Sequence, residues 1–331
     1  MQLDQLHRRA FITLLGGAAA WPLAARAQQP YPIRPVTLVV PFAAGGATDA
    51  LARLIAGAMS RDLDQQIVIE NVSGAGGTVG SKRVAKATPD GYTLLLGHAG
   101  THAASLGLYK KLPYDPIDDY ETIGEVGDAP QILIVNKTLP VKNLKEFAEY
   151  VKANHHKLSF GTAGVGSASY LGGVMLNVIL GTNATPVSYR GLGTAYTDLL
   201  AGRIDYMVDV STSVLPQIQG GTVTPIAVMR SNRIAALPDL PASPESGIAG
   251  LDFSVWNVLL APKGTRSPVI DRLNGALRAA LRDEVVRAHL SELAIELPDD
   301  SRMTSDGARG HIKAEIRKWL PIVKSLGVTL D

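Results

Sequence analysis

Short apolar runs alternate along this chain with longer stretches of helical periodicity. The run Val36-Thr37-Leu38-Val39-Val40 ends at Pro41 and leads into Phe42-Ala43-Ala44-Gly45-Gly46-Ala47-Thr48-Asp49. Leu51, Leu54, Ile55, Ala58 and Met59 then recur with the spacing of one helix face, predicting a helix over residues 49 to about 61. A second strand is predicted at 67–70, running into Gly74-Ala75-Gly76-Gly77, with a helix reaching Ala87 and a turn at Pro89-Asp90-Gly91. Residues 92–96 form a third apolar run that ends in Gly97-His98-Ala99-Gly100-Thr101. Strands and helices in this alternation predict a parallel sheet with right-handed crossovers.

The pattern then repeats. Residues 112–125 are polar and contain proline, and read as loop, whereas 131–136 is a buried strand through Ile132, Leu133, Ile134 and Val135. An amphipathic helix at 145–152 and a strand at 157–160 precede Gly161-Thr162-Ala163-Gly164-Val165-Gly166-Ser167, which opens a helix burying Leu171, Met175 and Leu176. An edge strand at 187–190, a helix at 195–201 closed by Gly202, a strand at 205–210 and one at 226–229 follow. Residues 237–250 suit a crossover loop, and 255–261 a strand returning to the first half. Helices at 268–282 and about 305–326 end the chain, with Pro321 expected to kink or break the last. The expected architecture is α/β with two lobes, each a mainly parallel sheet flanked by helices. Residues 28–128 and 252–331 form lobe 1, residues 129–251 form lobe 2, and two crossing strands form the hinge.

The first 27 residues stand apart. His7-Arg8-Arg9-Ala10-Phe11-Ile12, an apolar run from Phe11 to Ala20 and Ala25-Arg26-Ala27 have the layout of a cleaved export signal, with the arginine pair of the twin-arginine type. The run is too short for the roughly 20 residues of a membrane span. Removal takes away Arg8, Arg9, Arg26 and Asp4, so the formal charge of +2 falls to 0 and no basic patch argues for nucleic acid. There are no cysteines, which rules out disulfides, thiolate metal sites and lipid attachment through cysteine. The 304 residues left (331 − 27) read as a soluble periplasmic protein, expected to act as a monomer without cofactors.

Four loops follow strand C-termini and open helices: 41–49, 97–101, 161–167 and 209–213. Ligands of open parallel sheets sit outside such strand ends. Glycine admits close backbone approach, and the first turn of a helix attracts anions. Catalytic signatures are missing: Val79 and Ser169 stand where a third glycine of G-x-G-x-x-G would be, and no P-loop lysine or G-x-S-x-G elbow is present. His98 and His102 lack the glutamate of a zinc-protease helix and read as solvated or cleft-lining. Asp49 fits the start of a helix, complementing its dipole, while Asp209 ends a strand and could face a site. Tyr170 and Trp256 are candidate cleft walls. An exported enzyme using Asp49 or Asp209 as base stays open as the alternative to a binding protein.

These residues also carry a family resemblance. Pro35-Val36-Thr37-Leu38-Val39-Val40-Pro41-Phe42 with Gly45-Gly46 and Asp49, Glu70-Asn71 with Gly74-Ala75-Gly76-Gly77, Pro89-Asp90-Gly91-Tyr92, Leu112-Pro113-Tyr114-Asp115-Pro116, Tyr189-Arg190-Gly191, Leu259-Leu260-Ala261-Pro262 and Lys318-Trp319 occur in order. In this the chain resembles the periplasmic substrate-binding proteins of tripartite tricarboxylate transporters, the Bug or TctC-like family. The resemblance implies a two-lobed periplasmic-binding-protein fold of type II-like form that closes on its ligand. It implies that the loops at 41–49 and 161–167 pinch a carboxylate, with Phe42, Ala44, Gly45, Gly46, Asp49, His98, Thr101, Thr162, Ala163, Gly166, Ser167, Tyr170 and Asp209 as candidate ligand-binding residues. It further implies a small organic di- or tricarboxylate or aromatic acid as ligand, and a TctA/TctB-type membrane permease or a sensor kinase as partner. Ala44 replaces a usual proline, Tyr170 a common histidine, and Ser188 and Thr194 frequent prolines.

Overall fold

A computed structural model describes residues 31–325 except Arg190 and Ala249; the expected export signal lies outside these residues. Among the described residues, nine strands form one continuous sheet in the order β2-β1-β3-β9-β4-β7-β5-β6, with β8 also on β4. The strands are β1 (Val36–Val40), β2 (Ile67–Asn71), β3 (Thr93–His98), β4 (Tyr120–Val135), β5 (Ser159–Thr162), β6 (Thr185–Ser188), β7 (Tyr206–Val210), β8 (Thr224–Val228) and β9 (Ser254–Pro262). The pairs β1–β2, β1–β3, β5–β6 and β5–β7 are parallel; every pair made by β4 or β9 is antiparallel. The expected mainly parallel lobes are present, joined through the two long strands.

β4 corrects the reading of 112–125 as loop. It is a 16-residue strand that begins at Tyr120 and pairs with β9 as far as Pro130, then with β7 and β8 from Gln131 onward. Glu121, Glu125, Asp128 and three breaks in the apolar pattern (Gly124, Gly127, Pro130) hid it. Two register shifts absorb the irregularity. Pro130 stands where the strand changes partners, and its glycine neighbours admit the C-terminal segment: a Cβ on Gly124 would lie 2.8 Å from the Met303 carbonyl, and one on Gly127 2.7 Å from Ile295.

The helices are α1 (Ala47–Leu63), α2 (Thr78–Ala85), α3 (Ser105–Leu108, entered through a wide turn at Gly100–Ala104), α4 (Leu144–Asn154), α5 (Ala168–Leu180), α6 (Leu192–Leu200), α7 (Ser211–Gln219), α8 (Ser267–Arg282), α9 (Glu284–Glu292) and α10 (Ser305–Ser325). α9 was not expected; its signal is the Asp283 side chain, which accepts from the Val285 and Val286 N–H groups. Pro321 does not end α10. The turn beyond it is held by Val323, 1% exposed and packed on Gly107.

One apolar cluster joins α1 and α8 to one face of lobe 1 through Val40, Leu51, Leu94, Leu273 and Leu277. A second fills lobe 2 through Ile132, Ile134, Leu199, Met207 and Val214. The third runs through both lobes, from Val39 and Leu95 by way of Trp256 and Val258 to Phe160 and Tyr206. Trp256 is thus core and not the cleft wall expected of it, with Nε1 donating to Glu315.

Charged groups concentrate where the strands cross. Arg230, just after β8, bonds Glu296 at 2.6 Å and lies 3.7 Å from Asp128 of β4. Glu125 is buried with Arg302 at 3.0 Å. Burial pushes the Glu125 carboxyl up to about 8 against the pull of that guanidinium, and Asp128, Asp299 and Glu315 push it the same way. The folded chain therefore holds a proton that the unfolded chain releases above its ordinary pKa, and this group costs stability as pH rises from 4.5 toward about 8. Glu125→Gln, which cannot ionise, is expected to melt above the wild type at pH 8 and near it at pH 5. Identical pH profiles of the melting temperatures would mean that Arg302 keeps Glu125 charged throughout.

Candidate functional site

The first loop is built by Asp49. Its carboxylate accepts from the Gly45 N–H at 2.9 Å, from Arg53 at 3.0 Å on both oxygens and from Asn71 Nδ2 at 3.0 Å. Burial alone would raise the Asp49 carboxyl, but these bonds from Arg53, Gly45 and Asn71 hold it at about 2. Asn71 also donates to the Phe42 carbonyl, tying the end of β2 to the loop after β1. Gly45 can take φ +82 there because it has no side chain. Ala43 to Gly46 are exposed, and Gly46 caps α1 without any side-chain bond. No side chain at the cap competes for the first-turn N–H groups of α1, an arrangement that suits an anion.

The second loop belongs to lobe 2. Ser167 caps α5, accepting from the Tyr170 N–H at 3.2 Å while donating to the Gly164 carbonyl at 2.7 Å. Thr162 Oγ1 accepts from Gly164 N–H, and Ser169 Oγ from Ala163 N–H. Gly164 and Gly166 have φ of +101 and +84. Every hydroxyl of this loop is thereby engaged in shaping the backbone.

The loops of the two lobes meet at glycines. A Cβ on Gly100 would lie 2.9 Å from the Gly166 carbonyl, and one on Gly76 3.2 Å from the Val165 carbonyl and 3.8 Å from Gly166 Cα. A Cβ on Gly77 would collide with Thr101 and Phe42. The Phe42 ring in turn stacks on His98, with centroids 4.5 Å apart and planes 7° from parallel. His98 Nδ1 accepts from the Gly100 N–H at 2.7 Å, so the ring proton resides on Nε2. Burial lowers the His98 pKa to about 4, leaving a neutral donor at ordinary pH.

Phe42, His98, Thr101 and Gly166 are therefore gathered in one place, with Thr101 behind it. The Thr101 hydroxyl is fully buried and bonded to His98 backbone and to His102 Nδ1. His102 is not solvated or cleft-lining as expected but lies in the core against Tyr114 and Tyr120, where burial lowers its pKa to about 3. Tyr170 is 2% exposed and packs into the shared core. Asp209 is buried at the end of β7: its carboxylate accepts from the Val210 N–H at 2.8 Å and the Tyr196 hydroxyl at 3.0 Å, and burial pushes it up to about 7 against those bonds. Ala44 sits at the exposed tip of its loop. The sequence reading missed Gly76 and Gly77 as part of this place. The run Gly74-Ala75-Gly76-Gly77 directly after a strand was the available signal, and all four residues have positive φ.

Residues 51–328 match the model of the tripartite tricarboxylate transporter family receptor, TctC. The chain belongs to this family. Among solved structures, the periplasmic binding protein BugD is 41% identical, with TM-score 0.83 over 91% of this chain and 100% of BugD. MatC from Rhodopseudomonas palustris, solved with bound malate, is 39% identical, with TM-score 0.83 over 88% of this chain and 100% of MatC. A second R. palustris protein, solved with adipate, is 32% identical, with TM-score 0.84 over 91% and 100% of the two chains. The fold of this TctC-family chain is that of a two-lobed periplasmic binding protein. Among the described residues no helix is long and apolar enough to cross a membrane.

Asp49 in this setting orders the loop. Asp49→Ala should cost about 2 kcal/mol of stability, the scale of charge-assisted bonds lost from a buried carboxylate, measured by urea unfolding. A variant with full stability that had lost only ligand affinity would instead place Asp49 in contact with ligand.

Proposed function

We propose that this TctC-family receptor captures a small organic anion carrying at least one carboxylate in the cleft between its lobes. It does so in the periplasm after export, and passes the anion to a tripartite tricarboxylate-type permease. The observation that carries the reading is the meeting of the Gly76 and Gly100 turns of lobe 1 with Val165 and Gly166 of lobe 2, just before α5, with the Phe42 ring against Gly77 in the same place. Helix N-termini supply a positive field and backbone donors, so neither loop needs a cation of its own. The Arg53 guanidinium beside the first loop is already engaged by Asp49. Support also comes from malate and adipate in the two relatives, both dicarboxylates.

On this reading lobe 2 runs from about residue 129 to 251 and closes against lobe 1 about the β4–β9 pair. Gly45, Gly46, Gly166 and the α1 and α5 first turns contact the ligand, His98 and Phe42 line it, and Ser167, Thr162, Asp49 and Thr101 hold the backbone that does so. The buried partners of Asp209 make it a supporting residue of lobe 2.

Calorimetry of the purified mature protein against di- and tricarboxylates and aromatic acids tests the proposal. An acid at 100 times its Kd should add about 2.7 kcal/mol of stability, and recovery of the compound unchanged separates binding from turnover. If none of these acids bound, the reading would fail. Gly46→Val offers a sharper check, because a Cβ there meets only the Ala43 carbonyl at 3.6 Å and the backbone angles suit any residue. The variant should fold normally yet lose at least tenfold in affinity; unaltered affinity would refute close backbone approach at this loop.

A further inference from the structure

At the hinge end of the lobe 1 sheet, His98 and Asn257 stand directly opposite each other in the antiparallel β3–β9 ladder. Side chains so paired leave the sheet on the same face with Cβ atoms about 5 Å apart. That face is fixed by their neighbours: Leu94 and Leu96 on β3, and Val255 and Leu259 on β9, all belong to the cluster under α1. On the other flank of Asn257 stands Gly127, which contributes no side chain.

Asn257 is 4% exposed. Its Nδ2 donates to the Val255 carbonyl at 3.1 Å, which orients the amide. The Oδ1 atom is buried and, among the described residues, accepts no hydrogen bond. A buried carbonyl oxygen left unpaired costs free energy and calls for an explanation. Its cross-strand neighbour supplies the complementary half. His98 has its Nδ1 occupied by Gly100 and keeps a proton on Nε2, next to the Phe42 ring and the glycines that meet Gly166.

An acceptor and a donor side by side match a group that is both, and a hydroxyl is that group. A carboxylate oxygen would face the Asn257 oxygen unfavourably, and an ammonium would face the His98 N–H unfavourably. We propose that His98 and Asn257 form a hydroxyl-reading subsite, so that the preferred ligand is a hydroxy acid carrying its hydroxyl near a carboxylate. The assignment rests on the cleft being the carboxylate site argued above. His98 Nε2–H donates to the ligand hydroxyl oxygen, and the hydroxyl proton is donated to Asn257 Oδ1.

The test is calorimetry on acids that differ by one hydroxyl: each enantiomer of malate against succinate, and of 2-hydroxyglutarate against glutarate. Wild-type protein should bind one enantiomer of a hydroxy acid at least tenfold more tightly than its parent. Asn257→Leu should remove that preference while holding the affinity for the parent acid within about threefold. His98→Phe, which keeps a ring against Phe42, should reduce the preference in the same way. Equal affinities within both pairs in the wild type overturn the subsite and leave the carboxylate reading standing. A preference that survives Asn257→Leu overturns the role of Asn257, and failure of every acid to bind overturns both readings. The wild-type comparison depends on no variant folding.

Discussion

The antiparallel pairing of β4 with β9 is the constraint on which the rest of this structure depends. These strands run side by side from Tyr120 opposite Pro262 to Pro130 opposite Ser254, and β4 then continues into the sheet of lobe 2. A ladder of backbone hydrogen bonds resists slippage, because a shift of one residue would turn every side chain to the other face. Its end at Pro130 is where β4 exchanges β9 for β7 and β8 as partners. The buried carboxylates Glu125 and Asp128 and the Arg230–Glu296 pair cluster at the same place. Charged groups from distant parts of the chain are thus brought together where β4 changes partners.

The cleft itself is arranged to be neutral. Arg53 is taken by Asp49, His98 is held uncharged by burial, and the hydroxyls of Thr162, Ser167 and Ser169 are spent on their own loop. Exposed backbone at Gly45 and Gly46 is left open beside these groups. On the proposed reading, such a site would hold a carboxylate without a counter-ion and leave neighbouring side chains free to distinguish one organic acid from another.

Polar residues near the site therefore divide by what their atoms already do. Asp49 and Asn71 lock the first loop, Thr101 supports His98, and Asp209 bonds within lobe 2. Asn257 combines deep burial with an oxygen that no described residue satisfies, and it stands opposite a histidine whose remaining ring nitrogen carries a proton. Whether a polar side chain serves the fold or a ligand is decided by that accounting and not by residue type.

Much of this was legible in the sequence, for local reasons. Apolar periodicity located β1, α1, β3, α5, β7 and α8 within a few residues, because each buries a continuous face in one cluster. The glycine loops after β1 and β5 were legible because positive φ and close approach leave few other residue choices. The lower half of β4 was not: Glu125, Asp128 and two glycines look like loop until Arg302, Arg230 and the C-terminal segment are brought against them from far along the chain. The same holds for Gly76 meeting Gly166, for Trp256 turning into core, and for His98 facing Asn257. Local sequence determines which segments become strand, helix or glycine turn; only the tertiary structure decides which buried polar atoms find partners, because those partners lie far apart along the chain.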